Sequence, residues 1–357
     1  MTQAKVYRMS DSISPTIQDI ALQVGVSKGA VSVVLNGSTS STRVSPGTRD
    51  KILAVAEALN YRPNVAAQAL SRGRMDTIGV MFGFTNDSAP VMSRSLAMDI
   101  LQGASIAAER GDKNLMLFTQ HWRSCNGKAR RLSDQRTDGI IVAMPATDGD
   151  MIEQLMAQSQ PLVFIGYPAD AQGHPSVDVD NAAGAALATR HLLELGHRRI
   201  AHIQGDDFYV CTGERLSGFL QTMLEAGIVT PPEYVIPGSY DGTKAVDCAR
   251  RLLTLPNPPT AIFAGNDLTA LLVIRAAREM GYPAPERLSV VGFDGIEAGP
   301  LLETALTTVA QPFVAMGQRA AELLLLRLNG EDVPARTELL PHELIVRRTT
   351  ALPRAAD

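Results

Sequence analysis

The sequence predicts two structural classes in one chain: an N-terminal all-α helix-turn-helix head, and a larger two-lobed α/β domain built on parallel, doubly wound sheets. Three observations carry this. Residues 16–60 hold three capped helical patterns in close succession. From Thr77 onward, short apolar runs alternate with helical patterns, as in sheets covered on both faces. That alternation restarts near Ala182, so two such units follow in tandem.

The first helical pattern opens at Thr16, a good N-cap, with Asp19 three residues on to reach back to the first turn. Ile20, Ala21 and Val24 give it an apolar face, and Gly25 supplies the left-handed turn that ends it. Ser27 caps the next helix at once, whose apolar residues are Ala30, Val31, Val34 and Leu35. Helix, tight glycine turn and capped helix is the arrangement that lays its second helix in a DNA major groove, although an ordinary helical hairpin has the same pattern. Ser45-Pro46 opens a third helix, with Pro46 at the first helical position and Ile52, Leu53, Val55, Ala56 and Leu59 on its apolar face.

Charge supports the DNA reading. Residues 1–75 carry nine Lys and Arg against four acids, a net +5, while the whole chain is −4, so the rest is −9. A basic head on an acidic body suits phosphate contacts, although charge asymmetry alone is often a solvated face.

In the body, strands are expected at Ile78-Gly79-Val80-Met81-Phe82, 115–118, 139–143, 162–166, 200–203, 261–264 and 288–293. Helices are expected over 96–109, 182–195, 215–226 and 268–280. At 357 residues, with 45% hydrophobic and 20% charged residues, the chain reads as about two to three soluble globular domains. Cys125, Cys211 and Cys248 form no C-x-x-C pair, which argues for a reducing compartment and against a zinc knuckle. The polar N-terminus does not read as a signal peptide, and no apolar run approaches the roughly 20 residues that span a bilayer. The expected location is the cytoplasm, near the nucleoid, with no membrane partner.

No phosphate loop and no dinucleotide fingerprint occurs. His191 and His197 lack metal-binding helical spacing, and no nucleophile, base and orienter can be assembled. Neither an enzyme nor a cofactor is expected.

The chain resembles the LacI/GalR family of bacterial repressors. The resemblance rests on Val24-Gly25-Val26-Ser27, Val31-Ser32, Leu35-Asn36, Leu59-Asn60-Tyr61-Arg62-Pro63-Asn64 and Ala66-Ala67-Gln68-Ala69-Leu70, and further matches run almost to the C-terminus. It implies base reading from the start of the second helix: Lys28 to guanine or phosphate, with Gly29 and Ser32, and Val33 against a thymine methyl or in packing. Many members read Thr-Val-Ser-Arg where this chain has Ala30-Val31-Ser32-Val33. Thr16, Ser27, Asn36, Arg62, Asn64, Ala67 and Leu70 complete the implied DNA-contacting set. Asn64 would cap a hinge helix whose Leu70 wedges between base steps in the minor groove, or is simply a core leucine. The small polar loop over 37–43 is longer than the family usually carries.

For the body, the resemblance implies a periplasmic-binding-protein type of fold with a ligand in the cleft between lobes. The implied effector-binding residues are Arg215, Asn266 and Asp294, whose fork of donors, amide and carboxylate suit a polyol or sugar, with Tyr240 and Phe293 as stacking faces. Structural alternatives are that Arg215 bridges the lobes and Asp267 caps the following helix. Asp178 and Asp180 read as caps for the helix at Ala182. Gly166 stands where some sugar-binding members carry an Asp.

The expected organisation is a disordered arm (1–15), the head (16–60), a hinge helix and linker (61–75) and the two-lobed domain (76–340). Lobe 1 takes about 76–179 and 308–338, and lobe 2 about 180–307 and 339–357, with crossings near Asp180, Thr307 and Leu339. The expected function is an allosteric transcription repressor, homodimeric on a palindromic operator, with a carbohydrate effector. The alternatives are a purine- or nucleoside-responsive member of the same family, or a periplasmic-type solute-binding protein.

Overall fold

The structure, a computed structural model, describes residues 15–36, 43–63, 68–69, 73–84, 95–120, 122, 129, 132, 134–169, 173–296 and 305–354. The arm, most of the 37–43 loop and the hinge positions Asn64, Ala67 and Leu70 lie outside the described residues. The chain divides into two compact units, 1–75 and 76–357.

The first unit contains helices Ile17–Val24, Lys28–Asn36 and Pro46–Ala58. Each starts as its sequence dictates. Thr16 and Asp19 form a reciprocal capping box, Ser27 Oγ accepts from the Ala30 amide at 3.2 Å, and Ser45 accepts from the Thr48 amide. Gly25 ends the first helix at φ 75°, a left-handed conformation that a side chain would strain. Ile20, Ala21, Val31, Val34, Ile52 and Ala56 meet in a small common core.

The second unit holds two six-stranded sheets. The first contains β1 (Thr77–Phe82), β2 (Asn114–Phe118), β3 (Gly139–Ala143), β4 (Leu162–Ile165), β5 (Ser176–Val179) and β11 (Thr337–Leu340), in the order β11-β5-β4-β3-β1-β2, all parallel. The second contains β6 (Ile200–Ile203), β7 (Val235–Ile236), β8 (Ala261–Ala264), β9 (Ser289–Asp294), β10 (Thr307–Ala310) and β12 (Glu343–Ile345), in the order β12-β10-β9-β8-β6-β7, with only β12 antiparallel.

Strand periodicity splits each sheet's side chains between two cores. In lobe 1, Ile78, Val80 and Phe82 join helices Ser95–Arg110 and Phe313–Leu328 on one face, while Met81, Ile140 and Val142 join helix Met151–Met156 on the other. In lobe 2, Ile203, Ile262 and Val290 face helices Ala245–Leu253 and Asp267–Glu279. Phe263, Val291 and Phe293 face helices Asn181–Glu194 and Val210–Glu225.

The chain crosses between lobes three times. The first crossing follows Val179, the last residue of β5. The second follows Ala310 rather than Thr307, because Thr307, Thr308 and Val309 are buried in the second sheet beside β9. The third falls between Leu340 and Glu343, just past Leu339, which pairs with Asp178 in the first sheet. The helix expected to start at Arg215 starts at Val210, five residues earlier, where Tyr209 occupies its N-cap position. Strands β5, β7, β10, β11 and β12 and helices Met151–Met156 and Ala245–Leu253 add to the expected elements. Among the described residues, no helix is long and apolar enough to cross a membrane.

Candidate functional site: a basic helix start and an interlobe cleft

In the head, Lys28 and Gly29 are exposed at the N-terminus of the second helix, and Ser32 and Val33 are partly exposed one turn on. Two other sequence-predicted contact residues have structural duties: the Thr16 hydroxyl donates to Asp19 Oδ2 at 2.8 Å, and Ser27 is the cap just described. Asn36 is the last helical residue, and Arg62 is exposed beyond the third helix.

In the second unit, the C-terminal ends of parallel strands from both sheets meet at the crossings, where a doubly wound fold places a ligand crevice. The structure brings Arg215, Tyr240, Asn266, Phe293 and Asp294 together there. Arg215 comes from helix Val210–Glu225 and is 4% exposed. Its Nε donates to Asn181 Oδ1 at 3.0 Å and its Nη1 to the Gly265 carbonyl at 2.6 Å. Nη1 lies 3.8 Å from Asp294 Oδ1, an ion pair rather than a hydrogen bond. Burial opposes the charge on Arg215, but the surrounding Tyr240, Cys211, Asp294 and Asp178 outweigh it and raise its pKa, so it is always a cation.

Asp294 ends β9 with φ 125°, a conformation rare outside glycine. Gln311, on the second crossing, grips it twice: the Gln311 amide donates to the Asp294 carbonyl at 3.0 Å, and Gln311 Nε2 donates to Oδ1 at 2.9 Å. Behind it, Asp267 accepts from the Thr308 hydroxyl at 2.5 Å and from the Ile296 amide at 2.7 Å. Burial raises the pKa of both carboxyls; the Asp294 charge raises Asp267 further, while Arg215 and Gln311 pull Asp294 back down.

Two expected roles change. Asn266, not Asp267, caps helix Asp267–Glu279: Asn266 Oδ1 accepts from the Thr269 amide at 3.0 Å while Nδ2 donates to the Tyr240 carbonyl at 2.9 Å. The amide is thus largely committed to holding the Tyr240 segment. Phe293 has no exposed surface, and its ring carries the Arg215 guanidinium 3.7 Å from the ring centroid, so it supports the arginine and offers no free face to a sugar. Tyr240 is partly exposed, with the Thr212 hydroxyl donating to its hydroxyl at 3.0 Å.

Of the two acids expected as caps, only Asp180 caps, accepting from the Ala183 amide at 2.8 Å. Asp178 is buried at the end of β5, and burial raises its pKa to about 7. His197 is a structural fastener: its Nε2 donates to the Ala351 carbonyl at 2.9 Å, since a carbonyl can only accept, and Nδ1 then accepts from the Thr260 hydroxyl at 2.9 Å. His202 is fully buried on Phe263, and burial lowers its pKa to about 4.

Sequence reasoning missed Asn181, Gln311 and Tyr209. Asn181 follows the two acids just discussed and Gln311 precedes a proline, spacings that hinted at a crossing but not at a partner. Tyr209 reaches across the cleft: its hydroxyl lies 3.5 Å from the Gly83 carbonyl of lobe 1, and its ring 5.7 Å from that of Tyr240. Beside it, the Thr147 amide donates to the Phe208 carbonyl at 2.8 Å, a second bond between lobes.

Comparison with known proteins gives the same two parts. Residues 16–64 match the model for bacterial regulatory proteins of the lacI family, and residues 189–350 match a periplasmic binding protein-like domain. The chain is 32% identical over 341 residues to the HTH-type transcriptional regulator CelR of Thermobifida fusca, covering 94% of this chain and 98% of that one. It is 29% identical over 338 residues to the HTH-type transcriptional repressor PurR of Photobacterium profundum, covering 94% and 98%. Among solved structures, it is similar to a lac repressor dimer bound to operator and the anti-inducer ONPF, with a TM-score of 0.79 at 28% identity over 94% of this chain and 99% of that one. A complex of CelR with cellobiose gives a TM-score of 0.72 at 31% identity, again over 94% and 99%.

Proposed function

The chain belongs to the LacI family of bacterial regulatory proteins, and from that premise we propose that it is a cytoplasmic transcription repressor whose grip on DNA is set by a small carbohydrate. It works as a homodimer on a roughly palindromic operator, reading bases from Lys28, Gly29, Ser32 and Val33. The effector is held at Arg215 and Asp294, beside Tyr240 and Asn266. Ligand binding closes the lobes and changes whether the hinge around Asn64, Ala67 and Leu70 forms on DNA. The chain has no catalytic role in this reading.

The observation that carries the effector half is the 3.8 Å gap between Arg215 Nη1 and Asp294 Oδ1. A fixed cation and a fixed carboxylate that do not close on one another leave donors and acceptors for a bridging pair of hydroxyls. The cellobiose held by the similar CelR supports the sugar class. A purine or nucleoside is the second reading, favoured by the aromatic pair Tyr209 and Tyr240 and by the similarity to PurR. A periplasmic solute-binding role is disfavoured by the basic helix-turn-helix head.

The test has two steps. Selection of random duplexes on the purified full-length chain is expected to enrich an inverted repeat; enrichment of none would overturn the DNA half. A thermal-shift screen of sugars, sugar phosphates, nucleosides and purines then reads the cleft, where a ligand at about 100 times its Kd adds roughly 2.7 kcal/mol. Stabilisation by sugars that also moves operator affinity supports the effector half, and silence across the carbohydrates overturns it.

A further inference from the structure

The two walls of the cleft differ in chemistry. On lobe 2, the strand ends and the adjoining helix present Asp206, Asn266, Asp294 and Arg215. On lobe 1, the residues that follow β3 and β4 are Met144, Pro145 and Ala146, then Gly166, Tyr167 and Pro168, none of them charged.

Met144 is central to that wall. It has φ 50°, the left-handed region that an unbranched apolar residue rarely adopts, and its amide donates to the Ile165 carbonyl at 2.7 Å. Its sulfur lies over Gly166, itself at φ 69°, so closely that a Cβ at position 166 would collide with it. The two residues interlock. While Met144 occupies this place, position 166 can carry no side chain, and the wall stays apolar at the point where β3 and β4 deliver their ends to the cleft. Met144 packs in part against the lobe 1 core and is in part exposed, and a positive φ at such a residue points to a functional role.

We propose that Met144, seated over Gly166, is a specificity-determining residue, and that the effector is a hydroxylated ring bearing a flat aromatic group, an aryl glycoside or a nucleoside, rather than a free saccharide. This rests on the reading of the cleft as an effector site. The hydroxyls face Arg215 and Asp294, and the flat group lies against Met144 and the aromatic surface of Tyr167 and Tyr209. A thioether suits this role, since it is polarisable and makes favourable contacts with ring edges. The carboxyls of Asp294, Asp178 and, through Asn181, Glu214 surround Arg215, which disfavours a phosphorylated ligand.

The experiment is titration calorimetry on the full-length chain with matched probes: glucose against 4-nitrophenyl β-glucoside, cellobiose against its 4-nitrophenyl glycoside, and ribose against adenosine and cytidine. The member bearing the aromatic group is expected to bind at least about tenfold more tightly than its free sugar, and the pair showing this identifies the source. Met144→Leu should keep that preference. Met144→Asn should reduce it to less than about threefold while remaining folded, because Asn adopts left-handed φ readily. A free sugar that binds as tightly as its aromatic counterpart overturns the proposal and leaves the carbohydrate reading intact. A preference that survives in Met144→Asn also overturns it. If no glycoside, sugar or nucleoside binds, both this proposal and the effector reading beneath it fail.

Discussion

The Arg215 guanidinium lies 3.7 Å from the centroid of the Phe293 ring, and that ring has no solvent-exposed surface. The arginine is therefore built into the core of lobe 2 from below while its sides are held by Asn181 and the Gly265 carbonyl. Arg215→Ala leaves Asp294 buried without its counter-charge, and breaking a buried pair in this way costs about 3–5 kcal/mol. Arg215→Lys keeps a charge but loses the planar fork and the stacking. Both variants are expected to melt lower than the parent and to lose the effector response, with Lys less damaged in stability. Melting curves and operator-binding assays with and without effector check this; an Arg215→Lys chain that responds normally would sink the role given to the fork.

The sequence made the head nearly transparent, because its signals are local. Thr16, Asp19, Gly25, Ser27 and Ser45 act within three or four residues of their own positions, and each does what its type dictates. The strand runs were equally legible, since continuous apolar stretches such as 139–143 are buried on both faces. The crossings were not. Thr307, Thr308 and Val309 are buried by β9, which reaches them only through the intervening segment 295–306, and no local pattern announces that pairing. The cleft was half-legible. Its charged residues stood out by type, but the division of labour between Asn266 and Asp267 depends on Thr308 and Tyr240 arriving from distant segments.

Gly317 faces the backbone of Ile100 where helices Ser95–Arg110 and Phe313–Leu328 cross, and Gly103 faces Val314 in return. A methyl group at either position would collide with a carbonyl oxygen, which cannot rotate away as a side chain can. Gly317→Ala is therefore expected to force the helices apart and destabilise lobe 1 by about 1–3 kcal/mol or more, despite alanine's better helix propensity. At Gly213, on helix Val210–Glu225, nothing lies within 4 Å of a new Cβ, so Gly213→Ala should be neutral or stabilising. Thermal melts should fall for Gly317→Ala and hold or rise for Gly213→Ala. Equal shifts would mean that the helix crossing is not tight.

Asp178 gives stability a specific pH dependence. Burial raises its folded pKa to about 7 from an ordinary carboxylate value of 3.8, with Glu214 adding to the shift and Arg215 opposing it. The folded state thus holds a proton that the unfolded chain has already released. Stability from this group is greatest below the unfolded value, falls as pH rises from about 4 to about 7, and is flat above that. Asp178→Asn keeps an acceptor for the Val179 amide, which donates to Asp178 Oδ1 at 2.7 Å, and removes the charge. The variant's melting temperature relative to the parent should rise steadily between pH 4 and pH 7 and then level off. A difference that does not vary with pH would place the ionisation elsewhere.

Lys28 is exposed at the first position of the second helix of the head, next to an equally exposed Gly29 that leaves room for a close approach to DNA. Two kinds of contact are open to its ammonium, and salt separates them. If it pairs with a phosphate, a dimer carrying Lys28→Ala loses two ionic contacts, so the slope of log K against log salt should become shallower by roughly 2 units, at about 0.9 per phosphate. The loss would then be similar on operator and on random duplex. If instead it donates to guanine, the slope changes little. The operator loses about 1–3 kcal/mol for each half-site, and the symmetry-related base pairs cease to be discriminated. Val33, an apolar side chain, supplies no second guanine reader in this turn. The prediction is therefore the second pattern: Lys28→Ala should bind random duplex almost as the parent does and should lose its preference at one base pair in each half-site. A uniform loss on every duplex, accompanied by the shallower slope, would assign Lys28 to the backbone and leave sequence reading to Ser32 and its neighbours.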